Sequence, residues 1–534
     1  MKNVLEYLEN SAALCAEKTA VRDPEESYSY RELTDRARRI GSALSEVFSG
    51  AAGKNNRGLP GKPAVVYMEK SVRALTSFMG IVYAGRFYTY ISPEQPAARI
   101  RQILEVLQPD CVIADSESAD DGKLEEAGFS GRVLDYDELC RAEISAEVLA
   151  EVRERSCDTD PLYCNFTSGS TGVPKGVLVS HRSVIDFIGV FPNLFGITGE
   201  DVIGNQAPFD FDVSVKDIYS SFRMGATLVI IPKRYFSIPV QLIDYLCEQG
   251  VTTLIWAVSA LCMVTQLKGF TYRVPDKINK VLFSGEAMPV KHLNLWRKHL
   301  PRAQYVNLYG PTEITCNCTY YRIMREFGPE EKIPAGRPFP NEKVFLLSIG
   351  WDGEVPDAEV LTEEAGFGGA ETEITKPGDI GEICVAGTAL ALGYYRNPEQ
   401  TAKVFVQNPL NRDYPERIYR TGDLGFYDSD GNLCFAGRRD FQIKHMGHRI
   451  ELEEIELILN GYEEISRAVC LFLEEKDRLI ACYSGDIDGK TIRSRMQKTM
   501  PMHMIPQVFR QFPQLPMTAN GKIDRRELKA RYLK

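Results

Sequence analysis

Leu162-Tyr-Cys-Asn-Phe-Thr-Ser-Gly-Ser-Thr-Gly-Val-Pro-Lys-Gly-Val177 is the stretch on which the reading of this chain turns. An apolar, β-rich run passes into a loop of hydroxyls and glycines. Such a loop wraps backbone N–H groups and Ser/Thr donors around phosphate oxygens while one Lys supplies charge. The spacing is not that of a P-loop. In G-x-x-x-x-G-K-[ST] the Lys follows the second Gly directly and a Ser or Thr comes next. Here Val173 and Pro174 intervene and Gly176 follows Lys175. The stretch therefore predicts a strand feeding a phosphate-binding turn of another kind.

Outward from this loop the chain alternates. Upstream lie an apolar run at Ala64–Met68, a helical period from Ser71 to Ala84, a β-rich run Phe87–Ile91, a helical period Ala97–Leu107 and then Cys111-Val-Ile-Ala114. Downstream, strands are expected at Ala226–Pro232, Val251–Trp256 and Lys280–Ser284, with a helix from Pro239 to Gly250. Strand-helix alternation of this kind marks α/β units with largely parallel sheets. From Lys343 the runs shorten and alternate with turns, which predicts a β-rich section closing near Ala436. After Gly437-Arg-Arg-Asp the pattern resumes with a helix at Glu451–Leu459, strands at Ala468–Leu473 and Leu479–Tyr483, and a helix around Lys490–Lys498. The expected fold class is thus α/β, with parallel-sheet subdomains plus a β-rich subdomain over residues 1–439 and a small α+β lid over residues 440–534. Ser49–Lys62 and Gly350–Gly378, rich in Gly with Asn, Pro or acids, read as surface loops.

The bulk properties agree with a folded protein of two or more domains. The chain has 534 residues, 44% hydrophobic and 25% charged, near the globular average. No apolar run is long enough for a membrane span, and Met1–Ala20 carries acids and lacks an apolar core, so neither span nor signal peptide is expected and the location is read as cytoplasmic. Thirteen Cys without C-x-x-C pairs fit reduced thiols, with Cys316 and Cys318 read as packing. The formal charge of -10 argues against nucleic acid as a partner. That charge is uneven: residues 441–534 carry 16 Lys and Arg against 13 Asp and Glu, net +3, leaving 47 against 60 for residues 1–440.

Taken together with the loop, further motifs carry a resemblance. Phe211-Asp-Val-Ser, Asn307-Leu-Tyr-Gly-Pro-Thr-Glu313, Gly381-Glu-Ile-Cys-Val-Ala-Gly387 with Gly393-Tyr-Tyr, Tyr419-Arg-Thr-Gly-Asp-Leu424, Gly437-Arg-Arg-Asp-Phe-Gln-Ile-Lys444, Gly447-His-Arg-Ile-Glu-Leu452 and Asn520-Gly-Lys-Ile-Asp524 occur in order. The sequence resembles the adenylate-forming superfamily, whose phosphate loop has the form TSG(S/T)TGxPKG. More narrowly it resembles the adenylation domains of nonribosomal peptide synthetases and the D-alanyl carrier protein ligases. The resemblance implies ATP and Mg²⁺ as cofactors. It places ATP against Thr167, Ser168, Gly169, Ser170, Thr171, Gly172 and Lys175, against Gly285, Glu286 and Ala287, and against Asn307, Tyr309, Gly310, Thr312, Asp423 and Arg438. Within that set Tyr309 stacks on adenine, where an aromatic contact is worth roughly 1–3 kcal/mol. Asn307 reads the adenine edge, Thr312 contacts phosphate, and Asp423 accepts the two ribose hydroxyls. Glu313 holds the metal, a hard cation that bridges phosphates with one or two carboxylates. Lys522 is the catalytic residue by the same resemblance, supplying a cation where a carboxylate attacks the α-phosphate. Asp440 is the hinge about which the lid turns.

The pocket for the acid follows from the same comparison. Asp212 is the carboxylate that pairs with a substrate α-ammonium in amino-acid activators, because a buried carboxylate without a cation is costly. Val213, Lys216, Ser259, Leu282, Ser284, Leu308, Cys316 and Asn317 line the side-chain pocket. Lys216 departs from the apolar or aromatic residue usual there. Two readings stand for it: it meets an acidic or polar substrate side chain, or it pairs with Asp217 or another protein acid. The chain ends twelve residues after Lys522, so the acyl acceptor is expected to be a separate phosphopantetheinylated carrier protein, whose usual acidity suits the net +3 lid. The chain is expected to act as a monomer. An acyl- or aryl-CoA ligase is the alternative activity, and a catalytically idle nucleotide-binding protein is a third.

Overall fold

In the computed structural model, residues 1–52, 62–169, 172–328, 331–348, 371–438, 442–473, 476–517 and 523–533 are described. The expected alternation folds into two large sheets. In the first, Phe87–Ile91, Pro63–Tyr67, Cys111–Ala114 and Arg132–Asp135 run parallel, while Pro161–Thr167 pairs parallel with Phe87–Ile91 and antiparallel with Lys175–Ser180. The helix Val72–Tyr83 starts where Ser71 accepts the Ala74 N–H, a side-chain cap that satisfies one orphan donor. Its buried face covers this sheet.

In the second sheet Gln304–Tyr309, Lys280–Ser284, Thr253–Ala257, Val202–Asn205, Thr227–Ile230 and Thr19–Arg22 lie side by side and parallel. Thr19–Arg22 reaches it from the far N-terminus, a pairing that local periodicity does not show. The strands of this sheet are buried on both faces, which is why they read as continuous apolar runs rather than alternating ones. From residue 342 the sheet is antiparallel: Glu342–Leu347, Gly381–Gly387, Arg417–Tyr427 and Leu433–Arg438 pair in the β-rich section expected there.

Beyond residue 442 a hairpin of Gln442–His445 and His448–Glu451 leads into the helix Leu452–Asn460 and a sheet of Ile465–Leu473, Arg478–Gly485 and Val508–Gln511. Its two faces fill two apolar clusters of their own. One holds Ile450, Leu452, Ile455, Ala468 and Cys470; the other holds Val469, Leu471, Leu515 and Leu528. Among the described residues no helix is long and apolar enough to cross a membrane.

Candidate active site

The C-terminal ends of the central strands of both large sheets converge, the usual place for a ligand in open α/β sheets. Thr167 ends one strand, in register with Lys175 of its neighbour. Ser168 and Gly169 follow, and Gly169 could be no other residue, since a Cβ there would lie 2.0 Å from the Val173 carbonyl oxygen. The donors of this loop are engaged by the C-terminal segment. Gly169 N donates to Glu454 Oε2 at 3.1 Å, and Lys175 Nζ pairs with Glu451 Oε1 at 3.2 Å. Ser168 Oγ donates to the Arg449 carbonyl at 2.8 Å and accepts from Glu451 N at 3.1 Å. Arg99, itself buried, pairs with Glu454 Oε1 at 2.9 Å. Two carboxylates thus sit on the donors expected to hold phosphates, while Thr167 Oγ1 is buried without a partner among the described residues. Gly172 takes the left-handed backbone its place in the turn requires. Ser170 and Thr171 lie outside the described residues.

The second wall is the segment after Gln304–Tyr309. Asn307 Nδ2 donates to the Pro334 carbonyl at 2.8 Å, and Tyr309 Oη donates to Asp423 Oδ2 at 2.5 Å. Asp423, on Arg417–Tyr427, stands opposite Arg438 in the ladder and pairs with its guanidinium. Lys444 Nζ lies 5.4 Å from the centre of the Tyr309 ring. Gly310 keeps the backbone close, since a Cβ would meet Asn317 Cα at 2.5 Å. Thr312 opens a short turn that carries Glu313 into full burial. Tyr394 Oη donates to Glu313 Oε1 at 2.8 Å, and Arg449 Nη1 donates to Oε1 and Oε2 at 3.1 and 2.8 Å. Burial pushes this carboxyl up, but Arg449 and then Lys175 outweigh it and hold it below the ordinary range. The residue therefore fits a divalent cation by charge, with the guanidinium standing in for it. Gly285, Glu286 and Ala287 form the turn after Lys280–Ser284, where Glu286 Oε1 accepts from Gly447 N at 2.8 Å.

The residues expected to line the acid pocket are brought together through the contacts of Asp212, Lys216 and Asn317. Asp212 directly precedes the helix Val213–Met224, and its main-chain carbonyl accepts from Cys316 Sγ at 3.1 Å. Val213, Lys216, Leu282, Ser284, Leu308, Cys316 and Asn317 are all buried around it. Burial raises the Asp212 carboxyl, opposed first by Lys216. Burial lowers the Lys216 ammonium, opposed by Cys316, Asp212 and Asp217. Of the two readings open for Lys216, a pairing with a protein acid is not seen among the described residues. Its Nζ donates instead to Asn317 Oδ1 at 2.6 Å and Ser284 Oγ at 3.4 Å. Asp217 is turned to Asn205, whose Nδ2 donates to its Oδ2 at 2.7 Å. Ser259, in the helix Val258–Gln266, is half-exposed at the approach of Gly447, where a Cβ would come 3.4 Å from its hydroxyl.

Lys522 and Asp440 lie outside the described residues. Sequence reasoning misses Arg449, Glu451 and Glu454 as members of the site, although Gly447-His-Arg-Ile-Glu is among its motifs. The signal was a run of alternating charge next to an apolar strand, which reads equally as a solvated helix start.

Residues 8–395 match the family of AMP-binding enzymes. Tyrocidine synthase 1 of Brevibacillus parabrevis is 29% identical over 535 residues, covering 99% of this chain and 45% of that protein. Zwittermicin A synthase ZmaJ of Bacillus cereus is 30% identical over 545 residues, covering 98% of this chain and 94% of that one. The chain therefore spans less than half of the first relative and nearly all of the second. Among solved structures, holo-PA1221, an NRPS protein containing adenylation and PCP domains bound to a vinylsulfonamide inhibitor, superposes with a TM-score of 0.81 at 25% identity, covering 99% of this chain and 84% of that one.

Proposed function

The chain belongs to the family of AMP-binding enzymes and is an adenylate-forming ligase, and from that premise we propose that its acid substrate is an amino acid, handed on to the phosphopantetheine thiol of a separate carrier protein. The observation that carries the reading is Asp212: a carboxylate buried beside Lys216 at the start of the pocket helix, raised by burial and ready for a second cation. A fatty or aryl acid brings none, and an α-ammonium does.

In the first step a carboxylate oxygen of the amino acid bonds to the α-phosphorus of ATP and the bond to pyrophosphate breaks. Two anions meet, so the site must supply positive charge. Lys175 and the loop N–H groups serve the phosphates, Tyr309 and Asp423 hold the nucleoside, and Lys522 stabilises the charge that builds at the reacting oxygens. Mg²⁺ held by Glu313 would neutralise phosphate charge. In the second step the thiolate bonds to the carbonyl carbon and AMP leaves. Residues 440–534 act as the lid that turns between the two steps, about Asp440. A carrier acceptor agrees with the adenylation and PCP domains of holo-PA1221.

The test is ATP–pyrophosphate exchange against the amino acids of both hands and a panel of fatty and aryl acids, followed by acyl transfer to a phosphopantetheinylated carrier protein and to coenzyme A. Exchange that answers to one amino acid, with transfer to the carrier, is the expected result. Exchange supported by fatty or aryl acids alone, with transfer to coenzyme A, would replace the reading by that of an acyl-CoA ligase.

A further inference from the structure

Asp212 reaches the pocket at the end of a loop, residues 206–212, that joins the strand Val202–Asn205 of the second sheet to the helix Val213–Met224. What fixes that loop comes from the first sheet. Lys70 stands in the short connection after Pro63–Tyr67, beside Ser71, which caps the next helix. Its Nζ lies 3.3 Å from the Asn205 carbonyl, 3.2 Å from Asn205 Oδ1, 3.1 Å from the Gln206 carbonyl and 3.4 Å from the Ala207 carbonyl. An ammonium has three protons to give and no lone pair, so it can draw several oxygens together. Burial weighs against its charge, while Asp217 and then Asp210 support it. The Asn205 carbonyl also accepts from Ile231 N at 3.1 Å. Among the described residues the Gln206 and Ala207 carbonyls meet no other donor.

Main-chain oxygens that converge on one point repel one another unless a cation sits between them, and a carbonyl shut away from water without a donor is costly. Lys70 therefore sets the path the chain takes as it leaves the strand. Beyond Ala207 the loop closes in one tight turn, since Phe211 N donates to the Pro208 carbonyl at 3.1 Å. Its side chains are held from the same side of the molecule. Phe209 meets Phe78 and Tyr90 edge-on at 5.3 and 5.7 Å, and Asp210 Oδ2 accepts from Gln95 Nε2 at 3.1 Å. Asp212 comes next and is buried. Lys70 acts on it through the main chain from Ala207 onward rather than by contact.

We infer that Lys70 is a positioning residue for the substrate ammonium: by gathering the Asn205, Gln206 and Ala207 carbonyls it sets where the loop delivers Asp212. The inference rests on the proposed pairing of Asp212 with an α-ammonium and deepens it. A change at Lys70 is then felt by the ammonium, and not by the carboxylate of the acid or by ATP.

The experiment is ATP–pyrophosphate exchange by the full chain, first against the proteinogenic amino acids of both hands. The best of them is then compared with the carboxylic acid that lacks its amino group, for the native protein and for Lys70→Met and Lys70→Arg. The native protein should prefer the amino acid. Lys70→Met should lower kcat/KM for the amino acid by about 100-fold, the cost of a misplacement of about 1 Å, while exchange with the des-amino acid and KM for ATP stay at their native values. Lys70→Arg, which keeps a charge and several donors, should recover part of the loss. A Lys70→Met protein that keeps the native preference, or one that loses the amino acid, the des-amino acid and ATP alike, would overturn the inference and leave amino-acid activation standing. Should Lys70→Met fail to fold, Lys70→Gln, which keeps donors without the charge, takes its place with the same expectations. A fold lost there too would assign Lys70 to the fold rather than to the site and overturn the inference. Exchange with fatty or aryl acids and with no amino acid would overturn both the inference and the reading on which it rests.

Discussion

Arg449 grips both carboxylate oxygens of Glu313, a residue with no exposed surface, and so joins the segment beyond residue 442 to the centre of the site. Glu451 and Glu454, from the same segment, sit on Lys175 and Gly169 N. The segment thus brings a cation to the residue proposed to hold Mg²⁺ and two carboxylates to the loop proposed to hold phosphates. It reproduces the charges of Mg–ATP with its own side chains. Glu451 and Glu454 occupy the donors that phosphate oxygens would need. Docking in this arrangement and binding of Mg–ATP are therefore mutually exclusive. A non-hydrolysable Mg–ATP analogue should raise amide hydrogen exchange across residues 447–455, while the amino acid alone should not. Unchanged protection of that stretch at saturating nucleotide would refute the competition.

Asp423 links Tyr309 to Arg438. Asp423→Asn removes the charge that Arg438 meets and turns one of the two acceptor oxygens proposed for the ribose hydroxyls into a donor. Hydrogen bonds to charged groups contribute about 1.5–3 kcal/mol each, so KM for ATP should rise roughly 10- to 100-fold, with a smaller change in KM for the acid. Exchange rates measured against ATP at fixed acid give this directly. An unaltered KM for ATP would remove Asp423 from the nucleotide site.

How far the sequence carried can be judged at these residues. The phosphate loop was readable because its donors are contiguous, and the strands Phe87–Ile91 and Lys280–Ser284 because apolar runs between helical periods have few other uses. The pocket residues were reached through the resemblance; spacing alone would not bring Lys216 to Asn317, 101 positions away. What was missed is non-local and ionic. Arg449 meeting Glu313 and Arg99 meeting Glu454 join charges 136 and 355 positions apart. A charged side chain looks the same in sequence whether it is solvated or buried against a partner. The pairing of Thr19–Arg22 with Thr227–Ile230 was hidden for a similar reason, since a strand of four residues has too little period to announce its neighbour.

Lys522 can be tested by what it should not affect. Ile523, which follows it, packs with Val469 and Leu471 on one face of the small sheet. The elements that reach the phosphate loop pack on the other, with Ala468 and Cys470. If the lid presents one face for each step, Lys522→Ala should reduce exchange by about 100-fold or more, the cost of one charge-stabilising donor. Transfer to the carrier from a supplied aminoacyl-adenylate should fall far less. Equal loss in both steps would contradict a division of labour between the faces.

The last expectation concerns pH and the seat of the C-terminal segment. His448 and His503 stack with ring centres 3.6 Å apart and planes 5° from parallel, and Phe211 meets His448 edge-on at 5.0 Å. Burial pulls both imidazoles down, His448 to about 4; Lys233 acts in the same direction on both, as do the His448 ring and Arg99 on His503. Each ring is thus neutral in the docked arrangement, while a ring released to water titrates near 6.5. The released state binds more protons, so acid favours release. The contribution of this stack to docking is complete above pH of about 6.5 and fades as pH falls from there toward 4. If the docked arrangement, which competes with Mg–ATP, serves the second step, carrier transfer should decline over that window more steeply than exchange does. His448→Phe keeps a flat ring against Phe211 and cannot take up a proton, so it should flatten the ratio of the two rates. A native ratio that is constant from pH 7.5 to 5 would show that the stack does not govern docking.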